Sequence, residues 1–181
     1  MSLPESIATE RLTLRPPRAA DAGPMALYAG DRRVAEMLEH VPHPYPPGAA
    51  EAFIERILAN RFAGRLWVMD ASGIDGPEFI GVISLRPAET AGVFQLGYWV
   101  GPPFWSTGYA SEAAGAVVAA ARAAGVRRLE ARVVEENEAS ARVLRNAGFE
   151  ETGAAPFFSV ARGGMARHRL FAMEFGPEAT T

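Results

Sequence analysis

Cysteine is absent from the 181 residues, which excludes a disulfide framework, a thiol nucleophile and any cysteine-built zinc or iron site. A reducing compartment suits such a chain, and no metal is expected. No run of basic residues breaks a formal charge of −3, made of 18 basic against 21 acidic side chains. That argues against a large surface tracking nucleic-acid phosphates and leaves room only for a small anion pocket. Uninterrupted apolar stretches are short, none approaching the roughly 18 residues of a membrane span. The start, Met1-Ser2-Leu3-Pro4-Glu5-Ser6, lacks a positive leader followed by an apolar run. The expectation is a soluble cytoplasmic protein with neither membrane nor nucleic acid as a direct partner.

What is present fits one domain over residues 1–181, with a core from about 10 to 175 and a loose tail at 177–181. Hydrophobic residues make up 49%, but 34 of the residues are alanine, which buries little area and tolerates close packing. Glu10 to Arg15 alternates as a short strand with one buried face. Asp21 is placed to cap a helix over 22–29. Residues 36–48 carry His40, His43 and four prolines, too many for a central strand or helix, so they read as a shaped loop. A helix over 49–62 follows, with Phe53, Ile57 and Leu58 on one stripe. Strands at 66–69 and 79–85, with a turn between them, predict a hairpin. A third strand, 93–100, puts Phe94, Leu96, Tyr98 and Val100 on one face, and Gly97 invites a bulge or a close backbone approach.

After Gly101-Pro102-Pro103, the alanine-rich segment 109–124 is the strongest helix, with Ala113, Ala116, Val117, Ala120 and Ala124 as its packing stripe and Gly125 as its left-handed cap. A strand at 129–133, a shorter helix at 138–147 ended by Gly148, an outgoing strand from Phe149 and a last strand at 169–175 complete the chain. The junction from Val100 into the long helix combines a strand end, a Gly/Ser/Thr turn and a helix start. That is an anion-binding geometry, because the first helical amides have no internal acceptors. The turn has neither G-x-G nor the lysine of a nucleotide P-loop. Its bland alternative is a helix cap.

Three stretches carry a resemblance: Leu96-Gly97-Tyr98-Trp99-Val100; Trp105-Ser106-Thr107-Gly108-Tyr109-Ala110-Ser111-Glu112-Ala113; and Asn137 through Phe149. In this order and spacing they resemble the GCN5-related N-acetyltransferases, and more narrowly their ribosomal-protein-acetyltransferase-like (RimJ/RimL-type) branch. Arg11-Leu12-Thr13-Leu14-Arg15-Pro16 is similar to that branch's opening strand, so the likeness runs from about 10 to 175. It implies an α/β fold: a mixed, strongly twisted, mostly antiparallel sheet of about seven strands flanked by about four helices. It also implies acetyl-CoA as cosubstrate, a primary amine as acceptor (a protein N-terminus or a small molecule) and direct transfer in a ternary complex.

By that resemblance, amides of Trp105, Ser106, Thr107, Gly108, Tyr109 and Ala110 face the diphosphate of acetyl-CoA, with Gly108 as the key glycine. Ser106 departs from the glycine common in the branch. The strand 96–100 is implied to part from 129–133, so that main chain near Trp99 or Val100 meets the pantetheine arm and the developing oxyanion. Asn137 is either a pantetheine contact or a helix cap, and Ser140 is implied to place a hydroxyl near the departing sulfur. Leu144 stands where many relatives have a tyrosine acid, which shifts that burden to Ser140 or to solvent. No base is singled out among Glu130, Glu135, Glu136, His40 and His43. Of the adjacent Phe157 and Phe158, one faces inward and the other meets an acceptor or partner, with a homodimer as a secondary expectation. Two rivals stay open: a noncatalytic acyl-CoA-binding or regulatory module, and a structural protein-interaction domain.

Overall fold

The computed structural model describes residues 2–176; the expected tail at 177–181 lies outside them. Eight strands are present: β1 (Ile7–Ala8), β2 (Thr13–Arg15), β3 (Arg65–Asp70), β4 (Gly81–Pro87), β5 (Val93–Val100), β6 (Arg128–Val134), β7 (Glu150–Ser159) and β8 (Gly164–Glu174). Five α-helices accompany them: α1 (Ala22–Ala29), α2 (Arg32–Ala35), α3 (Ala49–Leu58), α4 (Tyr109–Ala123) and α5 (Glu138–Asn146). The strands form one sheet in the order β1-β2-β3-β4-β5-β6-β8-β7. Each neighbouring pair is antiparallel except β5 and β6. A parallel pair needs a long crossover, and α4 supplies it.

Both faces of the sheet are covered. Leu14, Trp67, Met69, Ile83, Leu85, Leu96, Leu129 and Phe171 pack with Val117 of α4 and Leu144 of α5. On the other face Leu66, Val68, Phe79 and Val82 pack with Met25 of α1 and Ile54 of α3. β3 contributes to both cores, which is why its sequence is continuously apolar rather than alternating. Arg15 lies between Asp21 and Asp70, at 2.9 and 2.6 Å, with every partner buried.

Several expectations are corrected by packing. Asp21 does not cap α1: its carboxylate accepts from Arg15 and from the Arg18 amide. α3 buries Ala50 and Ile54 and leaves Leu58 exposed. α4 buries Ala113, Ala114, Val117, Val118 and Ala121, a stripe rotated from the expected one. With alanine on every side, helical spacing does not choose a face. Gly97 makes no bulge and pairs regularly with Ser84. No helix of the described residues is long and apolar enough to cross a membrane.

Candidate active site

β5 forms one wall of a cleft. The Gly101 amide donates to the Ile80 carbonyl at 2.9 Å, on the β4 side. Successive residues send their main-chain groups to opposite strand edges, so the N–H groups of Tyr98 and Val100 point toward the β6 edge and that of Trp99 points toward β4. The parallel ladder to β6 covers only Val93, Phe94 and Gln95, opposite Arg128, Leu129 and Glu130. Past Gln95 the strands part, which leaves Tyr98 and Val100 beside a gap. Trp99 does not line it, since its ring packs against Phe79 at 5.9 Å on the opposite face. The Val100 carbonyl is taken by the Trp105 indole N–H at 2.7 Å.

The turn into α4 stands at the mouth of this gap. Ser106 has φ +62° and Gly108 has φ +86°. Two left-handed residues so close turn successive amides to one side, making an anion-binding concavity. The Glu112 amide is the first to close back, onto the Gly108 carbonyl at 3.0 Å, and the N–H groups of 106–111 have no acceptor among the described residues. Ser106, Thr107, Gly108, Tyr109 and Ala110 therefore offer free amides together, whereas the Trp105 amide, expected among them, donates to the Pro102 carbonyl at 3.3 Å because Pro102–Phe104 forms a short helical turn. A Cβ at Gly108 would come within 3.2 Å of the Arg11 guanidinium.

Sequence reading missed the brace beneath this turn. Arg11 donates to the Thr107 carbonyl at 2.9 Å, pairs with Glu112 at 2.7 Å and lies 4.6 Å over the Tyr109 ring. Glu112 also accepts from the Thr9 hydroxyl and the Arg11 amide. Burial would raise its pKa, but those bonds outweigh burial and hold the carboxyl below the ordinary glutamate range. Only the fold brings residues about a hundred positions apart into this contact.

The start of α5 faces the gap. Asn137 caps it, its side-chain oxygen accepting from the Ser140 amide at 3.1 Å. The Ser140 hydroxyl lies 2.7 Å from the Tyr98 hydroxyl, which also reaches the Ser140 carbonyl at 3.1 Å. Burial pushes the Tyr98 phenol up to about 12, against the opposing effect of the Ser140 bond. It stays protonated at neutral pH. Leu144 is fully buried in the core. The signal for Tyr98 lay in its place on β5, two residues from the strand end, but its partner was not readable from sequence.

On the sheet face opposite α4 and α5, loop 36–48 lies against the β7–β8 hairpin. The Val160 amide donates to the Glu39 carbonyl at 3.0 Å and Arg162 to the Glu36 carbonyl at 2.8 Å. Phe157 faces inward, with Arg132 4.0 Å over its ring and His168 edge-on at 5.4 Å, while Phe158 points out and is 55% exposed. The five proposed bases are otherwise engaged or exposed. Glu130 pairs with Arg128, Glu135 with Arg167 and Glu136 with Arg162. His40 is largely in solvent, and exposed His43 lies 3.2 Å from the Gly30 carbonyl. Among the described residues no group of three or more His, Asp or Glu side chains is arranged to hold a metal ion.

A sheet opened between its parallel strands, with free amides at the mouth and a hydroxyl pair across the opening, suits a transferase that takes an extended acyl carrier. The acetyltransferase (GNAT) domain family matches residues 11–150, and the chain belongs to that family. It is an acetyl-CoA-dependent N-acetyltransferase. The uncharacterized N-acetyltransferase p20 of Bacillus licheniformis is 27% identical over 171 residues, 93% of this chain and 96% of that protein. Mycobacterium smegmatis RimJ, solved in complex with CoA-disulfide, has a TM-score of 0.80 at 22% identity, covering 98% of this chain and 90% of that one. The Microcin C7 self-immunity acetyltransferase MccE, solved with acetyl-CoA and AMP, has a TM-score of 0.79 at 18% identity, covering 96% and 99%.

Proposed function

We propose that this N-acetyltransferase works as a single domain on a primary amine, either a protein N-terminus or a small molecule, which attacks acetyl-CoA directly in a ternary complex. The observation that carries the reading is the parting of β5 from β6 after Gln95 beside the unpartnered amides of 106–111. Those amides, with Arg11 behind them, take the diphosphate. The pantetheine arm runs along Tyr98 and Val100 into the gap. The Val100 N–H, fixed by the strand, meets the oxyanion that forms when the amine adds to the thioester carbonyl. Tyr98 keeps its proton and holds the Ser140 hydroxyl at 2.7 Å, and the Ser140 hydrogen goes to the departing sulfur. Asn137 holds Ser140 in place by capping α5.

The cytoplasm is the compartment this reading favours, since a chain without cysteine suits a reducing milieu; fractionation of producing cells checks it. The protein works as a homodimer on the same reading. Thiol release from acetyl-CoA, measured with a panel of peptides bearing free amino termini and of polyamines and followed by product mass, tests the activity. Turnover with at least one amine is expected, whereas acetyl-CoA binding without turnover on any of them would instead support a noncatalytic module. Ser140→Ala is expected to lower kcat about 10²-fold with acetyl-CoA affinity kept. Unchanged kcat across a pH series would reject the acid role.

A further inference from the structure

An attacking amine must lose a proton, and the group that takes it must lie on the acceptor side with a free lone pair. With α4 and α5 covering one face, we take the acceptor to enter from the other, beside loop 36–48, where the nearby carboxylates are held by arginines: Glu39 by Arg132, Glu130 by Arg128 and Glu136 by Arg162. His168 is different. β8 places it directly opposite Val134, the last residue of β6 and well into the half that has left β5. Directly opposed residues of an antiparallel pair share a face. Leu129, Ala131 and Val133 belong to the core under α4 and α5, so Val134 and His168 face the other way, toward loop 36–48.

The ring is fixed in one state. Its Nδ1 lies 2.9 Å from the Ala166 carbonyl, which can only accept. Nδ1 therefore carries a hydrogen, and in the neutral ring the lone pair lies on Nε2. Phe157 packs edge-on at 5.4 Å and locks the orientation. His168 is 2% exposed, and no fully buried side-chain nitrogen or oxygen among the described residues lacks a partner. Nε2 has no hydrogen-bond partner among the described residues. The charges around it cancel in pairs: Arg132 with Glu39 beyond Phe157, and Glu136 with Arg162 past the end of β6. Flanking Arg167 and Arg169 are drawn to Glu135, Glu138 and Glu151.

We propose that His168 is the general base of the transfer, its Nε2 taking the proton of the attacking amine on the acceptor side while Ser140 serves the sulfur on the other. As the nitrogen–carbon bond forms, the nitrogen proton passes to Nε2. As the carbon–sulfur bond breaks, the sulfur takes the Ser140 proton, and solvent then resets both groups. The inference rests on the N-acetyltransferase reading, and one arm of its test needs no activity at all.

His168→Asn keeps a side-chain donor for the Ala166 carbonyl but has no lone pair at the Nε2 position, and His168→Gln is a second polar replacement. Both are assayed with acetyl-CoA and two probes, a short peptide with a free amino terminus and spermine. The expected result is a kcat lower by about 10²- to 10⁴-fold, acetyl-CoA affinity by calorimetry within about twofold, and loss of the acidic limb of the kcat/KM profile. Wild-type kcat and an unchanged pH profile would overturn the assignment, as would a parallel loss of kcat and acetyl-CoA affinity, which marks a packing role. Independently, long-range proton–nitrogen spectra of histidine-labelled wild-type protein should show the Nδ1–H tautomer at His168. An Nε2–H tautomer would overturn the proposal even if no acceptor has been found.

Discussion

Ser106 sits at φ +62° in the turn that opens α4, a conformation that costs a residue with a Cβ about 1–2 kcal/mol. Its strain follows from the turn, because Gly108 two positions on is also left-handed and together they aim the amides of 106–111 at one point. Ser106→Gly should raise the denaturation free energy by about 1 kcal/mol while keeping the turn, as read from the urea midpoint. A lower midpoint would mean that the serine hydroxyl contributes more than the strain it imposes. The glycine common in the branch at this position was visible as a departure in the sequence, and the backbone angle gives it a physical meaning. Tyr98 and His168 were different: their roles depend on partners 42 and two residues away, Ser140 and the Ala166 carbonyl. No local pattern singles out the Tyr98–Ser140 pairing, and the His168–Ala166 bond, although local, is given by no residue type at those positions.

At the scale of elements, β5 was legible from Val93 to Val100 because it is rich in aromatic and apolar residues and ends in Gly101-Pro102-Pro103. α4 was legible as a helix but not in its orientation, since alanine gives no contrast between faces. What fixes the orientation includes Glu112 in its first turn, tied to Thr9 and Arg11 of the segment between β1 and β2. Because the Glu112 carboxyl is held below its ordinary range, its contribution is present above the unfolded glutamate pKa and disappears as pH falls through the lower folded value. Glu112→Gln should therefore unfold more easily at pH 7, by about 1 kcal/mol for a partly exposed pair. Its stability should converge with that of the wild type as the medium is acidified below the glutamate range. Denaturant titrations at pH 7, 5, 4 and 3 check this, and a gap that stays constant with pH would assign the effect to packing instead.

For the whole molecule, the sheet order decides what meets what. β8 inserts between β6 and the edge strand β7, which precedes it in the chain, and this order carries His168 beside the open end of β6 and turns Phe157 inward. The opposite face of the same hairpin shows Phe158 paired with Met165, 55% and 64% exposed. That patch is where the proposed homodimer would form. Phe158→Asp should shift sedimentation from dimer to monomer without lowering thermal stability, and a wild type that sediments as a monomer at all concentrations would reject the dimer. The sequence by itself determined most of the elements and the turn into α4, while β1, α2 and the first half of β8 escaped it, because periodicity, prolines and left-handed glycines act over a few residues. The two-faced core, the parting of β5 from β6, the Tyr98–Ser140 contact and the Arg11–Glu112 brace were decided only by tertiary structure. They depend on strand order and on contacts between residues far apart in the chain, and local propensity does not encode which distant partner satisfies a buried polar group.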